Sequence, residues 1–367
     1  MERDIETRCI HLDEADNRFE NYGAISFPIY QTATYAHMGV GNGTGYDYSR
    51  LQNPTREHLE KIMASLEHGY DALAYSSGMA AISALMELFK PGDHIIADAD
   101  LYGGSIRLFD NISVKNGISF TRINCSQDDI TQYIQKNTKA IYIETPTNPM
   151  MNVSDIAGIS AIAKANGLLL IVDNTFLSPY LQNPIDLGAD IVVHSGTKYL
   201  GGHNDTIAGF IVVADEKLSE KFRFNIKTTG AGLAPFDSWL IIRGIKTLAL
   251  RMDRAQENAS RIVDWLIAND DVTEVIYPGL ESHPGHNIMK KQSRGFGAMV
   301  TFKVTSKELA CKILEKVRLI KFAESLGGVE TLITYPVTQT HADVPEDIRE
   351  DLIADLEHAF AGAKEEI

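Results

Sequence analysis

Two short segments 25 positions apart constrain this chain more than any other feature: Leu168-Leu-Leu-Ile-Val-Asp173-Asn174-Thr-Phe and Asp190-Ile-Val-Val-His194-Ser195-Gly196-Thr197-Lys198-Tyr. Each is an apolar run of strand length that stops abruptly in polar residues. Such continuous runs suit strands buried on both faces, as in a parallel sheet. The carboxyl ends of strands in an open parallel sheet share one rim, and ligands bind at that rim. The first run delivers a carboxylate there, Asp173. The second delivers two hydroxyls, Ser195 and Thr197, and an amine, Lys198.

The same pattern extends over residues 56–235. Candidate strands are Ala72–Tyr75, His94–Ala97, Ile118–Ile123, Ala140–Glu144, Leu168–Asp173, Ile191–His194 and Ile207–Val213. Helical periodicity falls between several of them, at 78–89, 104–116, 127–136 and 154–166. Strands alternating with helices predict an α/β fold with a mostly parallel seven-stranded sheet and helices on both faces. Residues 1–55 show little periodicity and are expected to lie on another surface, such as a second subunit. From 236 to 367 a long helical stretch interrupted by glycine, then weaker patterns and a final helix near 351–363, predict a smaller carboxyl-terminal α/β domain. A length of 367 residues fits two domains.

Bulk properties remove several functions. A formal charge of −15 disfavours nucleic acid, whose phosphates are held by basic surfaces. No apolar run approaches the length of a membrane span. The amino terminus is charged and lacks the apolar core of a secretory signal, so cytoplasm is the expected location. Cys9, Cys125 and Cys311 are far apart and odd in number, which indicates neither a disulfide framework nor a thiolate metal site. His283 with His286, and His194 with His203, lack a nearby third ligand in register, so no metal is expected. The glycines at 39, 41, 43 and 45 do not fit the dinucleotide fingerprint and follow no strand, which leaves a nicotinamide cofactor little support.

A carboxylate, hydroxyls and an amine on one rim are what pyridoxal phosphate (PLP) needs: a partner for its pyridinium, partners for its phosphate and an amine for its aldehyde. A lysine at a buried rim has its pKa lowered by desolvation, and a neutral amine forms a Schiff base. Asp173, otherwise a plain helix cap, would hold the ring protonated as an electron sink. Ser76-Ser77-Gly78-Met79-Ala80 joins a strand to a helix, where backbone N–H groups bind phosphate. Tyr102, in Asp100-Leu-Tyr102-Gly103-Gly104, would lay its ring on the cofactor, with a hydroxyl able to move protons.

Taken in order, these residues resemble the cystathionine γ-synthase and γ-lyase family of Cys/Met-metabolism PLP enzymes. The resemblance runs through Pro28-Ile-Tyr-Gln-Thr32, Tyr48-Ser-Arg50, Asn53-Pro-Thr55, Ser77-Gly-Met-Ala-Ala81, Tyr102-Gly-Gly104, Glu144-Thr-Pro-Thr-Asn148-Pro149, Val172-Asp-Asn-Thr-Phe176, His194-Ser-Gly-Thr-Lys-Tyr199, Arg243-Gly-Ile-Lys-Thr-Leu248 and Glu324-Ser-Leu-Gly-Gly328. It implies PLP fold type I, the aspartate-aminotransferase-like architecture. It implies that Lys198 carries PLP and shuttles protons, Asp173 pairs with the pyridinium, Gly78, Met79, Ser195 and Thr197 bind the phosphate, and Asn148 lies near the phenolic oxygen. Tyr102 stacks on the ring. Tyr48 and Arg50 would reach the phosphate of a neighbouring subunit in a homotetramer built as a dimer of dimers.

For substrate, the resemblance implies a sulfur amino acid. Glu324 and Ser325 match positions near the distal amino group and carboxylate in cystathionine-handling members. Gly104 stands where methionine γ-lyases have cysteine, which disfavours that activity. A lyase that cleaves cystathionine by γ- or β-elimination is expected, with γ-synthase and O-acetylhomoserine sulfhydrylase as alternatives. The chain departs from the family at one place. Roughly twenty residues with an arginine that clamps the substrate carboxylate are expected after Glu350, yet no arginine follows Arg349. Either the segment is truly deleted, which would favour a catalytically weak PLP-binding protein, or residues between Glu350 and Asp351 have been left out of the numbering. An unrepaired hole in a sheet is costly, which favours the omission. A bonded pair would have its Cα atoms about 3.8 Å apart.

Overall fold

Alternate burial turns the seven apolar runs into one sheet. The computed structural model describes residues 3–11 and 20–336. Its strands are β1 (Asp71–Tyr75), β2 (His94–Asp98), β3 (Ser119–Ile123), β4 (Thr138–Glu144), β5 (Leu169–Asp173), β6 (Ile191–Ser195) and β7 (Gly209–Val213). They lie in the order β1-β7-β6-β5-β4-β2-β3. Only β7 runs against its neighbours, β1 and β6; the other pairs are parallel. The carboxyl ends of β1, β2, β4, β5 and β6 therefore share one edge.

Successive residues of each strand enter opposite cores, as the two-residue period of a strand requires. Ala74, Val172, Val192 and Val212 enter one core, and Leu73, Ile171, Val193 and Ile211 enter the other. The connecting helices are α1 (Ile5–Arg8), α2 (Pro54–Glu67), α3 (Gly78–Met86), α4 (Gly103–Leu108), α5 (Ile156–Ala165), α6 (Ser178–Leu181), α7 (Glu216–Thr229), α8 (Pro235–Ile245) and α9 (Leu248–Ile267). Helices α2, α5, α8 and α9 cover the first face, through residues such as Leu59, Ile159, Ile241 and Met252. On the second, α3 and α7 pack through Leu85 and Phe222. Cutting fully buried Leu85 back to alanine would cost about 2–5 kcal/mol.

Beyond α9 come an antiparallel pair, β8 (Val272–Ile276) with β9 (Thr301–Val304), then α10 (His286–Gln292) between them and α11 (Lys307–Lys316) after them. A short parallel pair, β10 (Lys321–Phe322) with β11 (Leu332–Ile333), follows. Glu350, Asp351 and the helix expected near 351–363 lie outside the described residues.

Three local expectations differ from the structure. Residues 127–136 were expected as a helix, but only a 3-10 turn over Ile130–Tyr133 forms. Asp129 accepts from the Thr131 amide and hydroxyl, and Asp128 from the Asn124 amide. Such local side-chain bonds compete with a helical backbone. The second helical window, 104–116, opens as α4 and continues as a π turn over Phe109–Ser113. Helix α2 has no counterpart among the expected helices, though its start is written in Asn53-Pro54-Thr55. Asn53 caps the amides of Thr55 and Arg56 at 3.0 and 3.4 Å, and Pro54 occupies the first turn.

All three cysteines are free thiols, with Cys9 and Cys125 buried and Cys311 exposed. No helix among the described residues is long and apolar enough to cross a membrane.

Candidate active site

The site is built where β1, β4, β5 and β6 end together. Glu144, the last residue of β4, is paired in register with Asp173, the last of β5. Asp173 lies opposite Val193, two positions before the end of β6 at Ser195. Ser195 lies across β7 from Tyr75, with Gly209 opposite both. This arrangement needs Gly209: a Cβ there would stand 2.1 Å from the Ser77 carbonyl oxygen. Glycine thus lets the Ser77-Gly78 turn close onto Ser195, whose Cβ would stand 3.2 Å from a Cβ at Gly78.

Helix α3 begins in that turn. Its first N–H groups have no partner within the helix. The Ser77 hydroxyl accepts from the Ala80 amide at 3.0 Å, which leaves the N–H groups of Gly78 and Met79 at the mouth of the turn. The positive end of the helix dipole, with the Ser195 and Thr197 hydroxyls nearby, makes this corner suited to an anion. The Thr197 hydroxyl is oriented by its contacts with the carbonyl and amide of Ala208, at 3.4 and 3.2 Å.

Asp173 is buried, and its carboxylate accepts from the Thr175 amide at 3.0 Å and the Thr175 hydroxyl at 2.6 Å. That hydroxyl also accepts from the Ser195 amide at 2.9 Å. Thr175 therefore ties the ends of β5 and β6 together. It was not among the candidates from sequence, although an aspartate two residues before a threonine at a strand end is a recognisable turn. Burial pushes the Asp173 carboxyl up, and the Thr175 bonds oppose this. Glu144 is pushed well above the usual carboxylate range by burial and then by Asp173 itself.

Lys198 is half-buried and donates from Nζ to the Ser325 hydroxyl at 2.8 Å. Burial lowers its pKa, and the carboxylate of Glu324 opposes that. The segment carrying Glu324 and Ser325 closes over the lysine because Gly327, at φ +80°, packs on the backbone of Lys198 and Tyr199. Ser325 itself sits at φ +101°, an uncommon conformation for a residue with a side chain.

Tyr102 precedes α4 with its ring partly exposed, and its backbone N–H donates to Glu144 Oε2 at 2.9 Å. Its ring and the Met79 sulfur fill the space that a Cβ at Gly104 would need. Asn148 lies half-buried in the loop after β4. Asp100 fastens that loop to the Tyr102 segment, accepting from the Thr147 hydroxyl, the Met150 amide and the Asn152 side chain. Gly78, Met79, Tyr102, Asn148, Asp173, Ser195, Thr197, Lys198, Glu324 and Ser325 are thus drawn toward one edge. The contacts of Tyr48 and Arg50 go elsewhere: Arg50 lies over the Tyr48 ring and donates to the Lys227 carbonyl. No group of three metal-ligating side chains occurs among the described residues.

The edge therefore combines an anion-binding corner, an amine of lowered pKa, a buried carboxylate and a phenol. The sequence matches the Cys/Met metabolism PLP-dependent enzyme family over residues 6–360. It is 48% identical over 349 residues to a cystathionine beta-lyase of Lactococcus lactis subsp. cremoris, covering 95% of this chain and 91% of that protein. To a cystathionine gamma-synthase/O-acetylhomoserine (thiol)-lyase of Bacillus subtilis it is 46% identical over 385 positions, covering 100% of this chain and 98% of the relative. That alignment is longer than the chain's 367 residues, so the relative has residues with no counterpart here. The crystal structure of cystathionine gamma-lyase from Lactobacillus plantarum complexed with L-serine superposes with a TM-score of 0.90 at 41% identity, covering 97% of this chain and 98% of that one. The fold is accordingly that of PLP fold type I, and the chain belongs to the Cys/Met metabolism PLP-dependent enzymes.

Proposed function

We propose that this enzyme is a C–S lyase that cleaves L-cystathionine by γ- or β-elimination. The observation that carries the reading is the Lys198–Ser325 contact, which holds an amine whose pKa burial lowers beside Glu324 and on the edge that bears Asp173. The names of two of the relatives above, a β-lyase and a γ-lyase, support it.

The residues present fit PLP. The close approach of Gly78 to Ser195 leaves backbone N–H groups and hydroxyls for a phosphate, and Asp173 offers a buried carboxylate to a ring nitrogen. Bound PLP supplies an aldehyde for the substrate amine and an electron sink for the carbanion at its Cα. Gly78, Met79, Ser195 and Thr197 would hold the phosphate. Asp173, anchored by Thr175, would keep a proton on the ring nitrogen. Tyr102 would stack on the ring and Asn148 would meet the phenolic oxygen.

Lys198 Nζ would take the proton from the substrate Cα, with Ser325 holding the amine in place between transfers. The Tyr102 hydroxyl would give a proton to the departing sulfur. Glu324 would receive the distal amino group, where a carboxylate and an ammonium attract. The arm of residues 1–55 would present Tyr48 and Arg50 to the phosphate of a neighbouring subunit in a homotetramer. Residues 56–235 would form the cofactor domain and 236–367 the smaller one.

A second reading, γ-replacement, is favoured by the Bacillus subtilis relative, which matches this chain from end to end. Mass-spectrometric identification of products from L-cystathionine separates the two. Cysteine with 2-oxobutyrate means γ-elimination, and homocysteine with pyruvate means β-elimination. No turnover, followed by consumption of an O-acylated homoserine with a thiol, overturns the lyase reading.

A further inference from the structure

We propose that Glu144 is a positioning residue of this site, whose carboxyl oxygen fixes the ring of Tyr102 relative to Asp173. The inference rests on the reading of Tyr102 as the residue that stacks on the cofactor.

Three observations carry it. Glu144 ends β4 in register with Asp173, so backbone ladder bonds set the distance between these two residues. Glu144 Oε2 accepts from the Tyr102 backbone N–H at 2.9 Å, across a loop that otherwise leaves the start of α4 without a side-chain cap. Glu144 itself is buried, so the bond is shielded from competing water. The stacking ring is therefore fastened through its own backbone to the strand beside the one that carries the ring-nitrogen carboxylate.

The charged neighbours of Glu144 agree with an acceptor role in place of a charge role. Burial first, then Asp173, Asp100 and Asp98 raise its pKa, and the bond from the Tyr102 N–H opposes them. Burial and acidic neighbours favour the protonated carboxyl over the charged one, and its carbonyl oxygen accepts an N–H in either form. Glutamine offers the same oxygen at the same place. Leucine has a similar volume and no acceptor.

The experiment compares Glu144→Gln and Glu144→Leu as full chains with PLP bound. It measures hydrogen exchange at the Tyr102 amide and the visible circular dichroism of the cofactor, well below the unfolding temperature. The expected result is that the leucine variant speeds Tyr102 exchange about tenfold and alters the dichroic band, while the glutamine variant leaves both within about twofold. An unchanged leucine variant overturns the proposal, as does a glutamine variant that moves as far as leucine. If the leucine variant does not fold, glutamine decides: unchanged values support the acceptor role and changed values overturn it. Should the chain hold no PLP, the dichroism has no signal and the stacking reading fails. Tyr102 exchange still reads the Glu144 contact in that case.

Discussion

The Lys198 amine donates to the Ser325 hydroxyl at 2.8 Å, and Ser325 makes this contact from a backbone at φ +101°. A strained residue that touches the amine proposed to move protons is the pattern expected where stability has been given up for position. Ser325→Ala should lower kcat about tenfold with little change in KM, as loss of a contact to the proton-transferring group would. Ser325→Gly relieves the backbone and should raise the unfolding temperature while turning over as slowly as alanine. Steady-state kinetics beside thermal unfolding checks both; a glycine variant of full activity would sink the positioning role.

Glu324 tests the charge on that same amine. Its carboxylate favours the ammonium form of Lys198, against the burial that lowers the pKa. Glu324→Gln should therefore lower the pKa further. The pH dependence of PLP attachment to the cofactor-free protein, trapped with borohydride, should shift to lower pH. A shift the other way would mean that Glu324 does not face the amine in solution.

Thr175 joins two of the edge strands through one hydroxyl, which donates to Asp173 and accepts from the Ser195 amide. Thr175→Val keeps the shape and leaves both groups short of a partner. The expected cost is about 1–3 kcal/mol of stability. Cofactor affinity should weaken too if Asp173 and Ser195 hold the two ends of PLP as proposed, because both would move. Chemical denaturation and spectroscopic titration with PLP measure the two effects.

Asp98 should make stability depend on pH. It is buried at the end of β2, and neither carboxyl oxygen reaches a hydrogen-bonding partner. Burial, then the neighbouring Asp100, push its pKa up to about 8, and the nearby N–H groups of Asp100, Cys125 and Ala99 offset only part of this. The unfolded chain releases this proton near the ordinary aspartate pKa of about 4. Between about pH 4 and 8 the unfolded state thus binds fewer protons. The contribution of Asp98 to stability therefore falls as pH rises, by up to about 1.4 kcal/mol per pH unit. Asp98→Asn should remove that slope and be the more stable protein at pH 8. Denaturation at pH 5, 7 and 9 gives the answer, and parallel slopes for the two proteins would exclude it.

Much of this was legible in the residues. Every one of the seven strands lies within two residues of its apolar run, because a strand buried on both faces must be apolar throughout, as Leu170 to Val172 and Ile191 to Val193 are. The polar stops at Asp173 and Ser195 marked the edge for the same reason. Less legible were contacts made by residues with an ordinary local role. Thr175 looks like a turn residue and Glu144 like the end of a strand, and only the parallel register shows that each joins two elements. The missing 127–136 helix shows the converse: Asp128, Asp129 and Thr131 hold their own backbone in turns although the apolar spacing suits a helix.

The reversed strand β7 has a consequence for the cofactor as a structural part. It lies between β1, from early in the sheet's sequence, and β6, from late in it. The phosphate corner is consequently shared by two turns that the unfolded chain holds far apart, Ser77-Gly78 and Ser195-Lys198. With the phosphate held as proposed, PLP would act as a removable clasp across the sheet. On that reading, loss of PLP would weaken the join between the two turns, and raising its concentration would stabilise the folded chain by mass action.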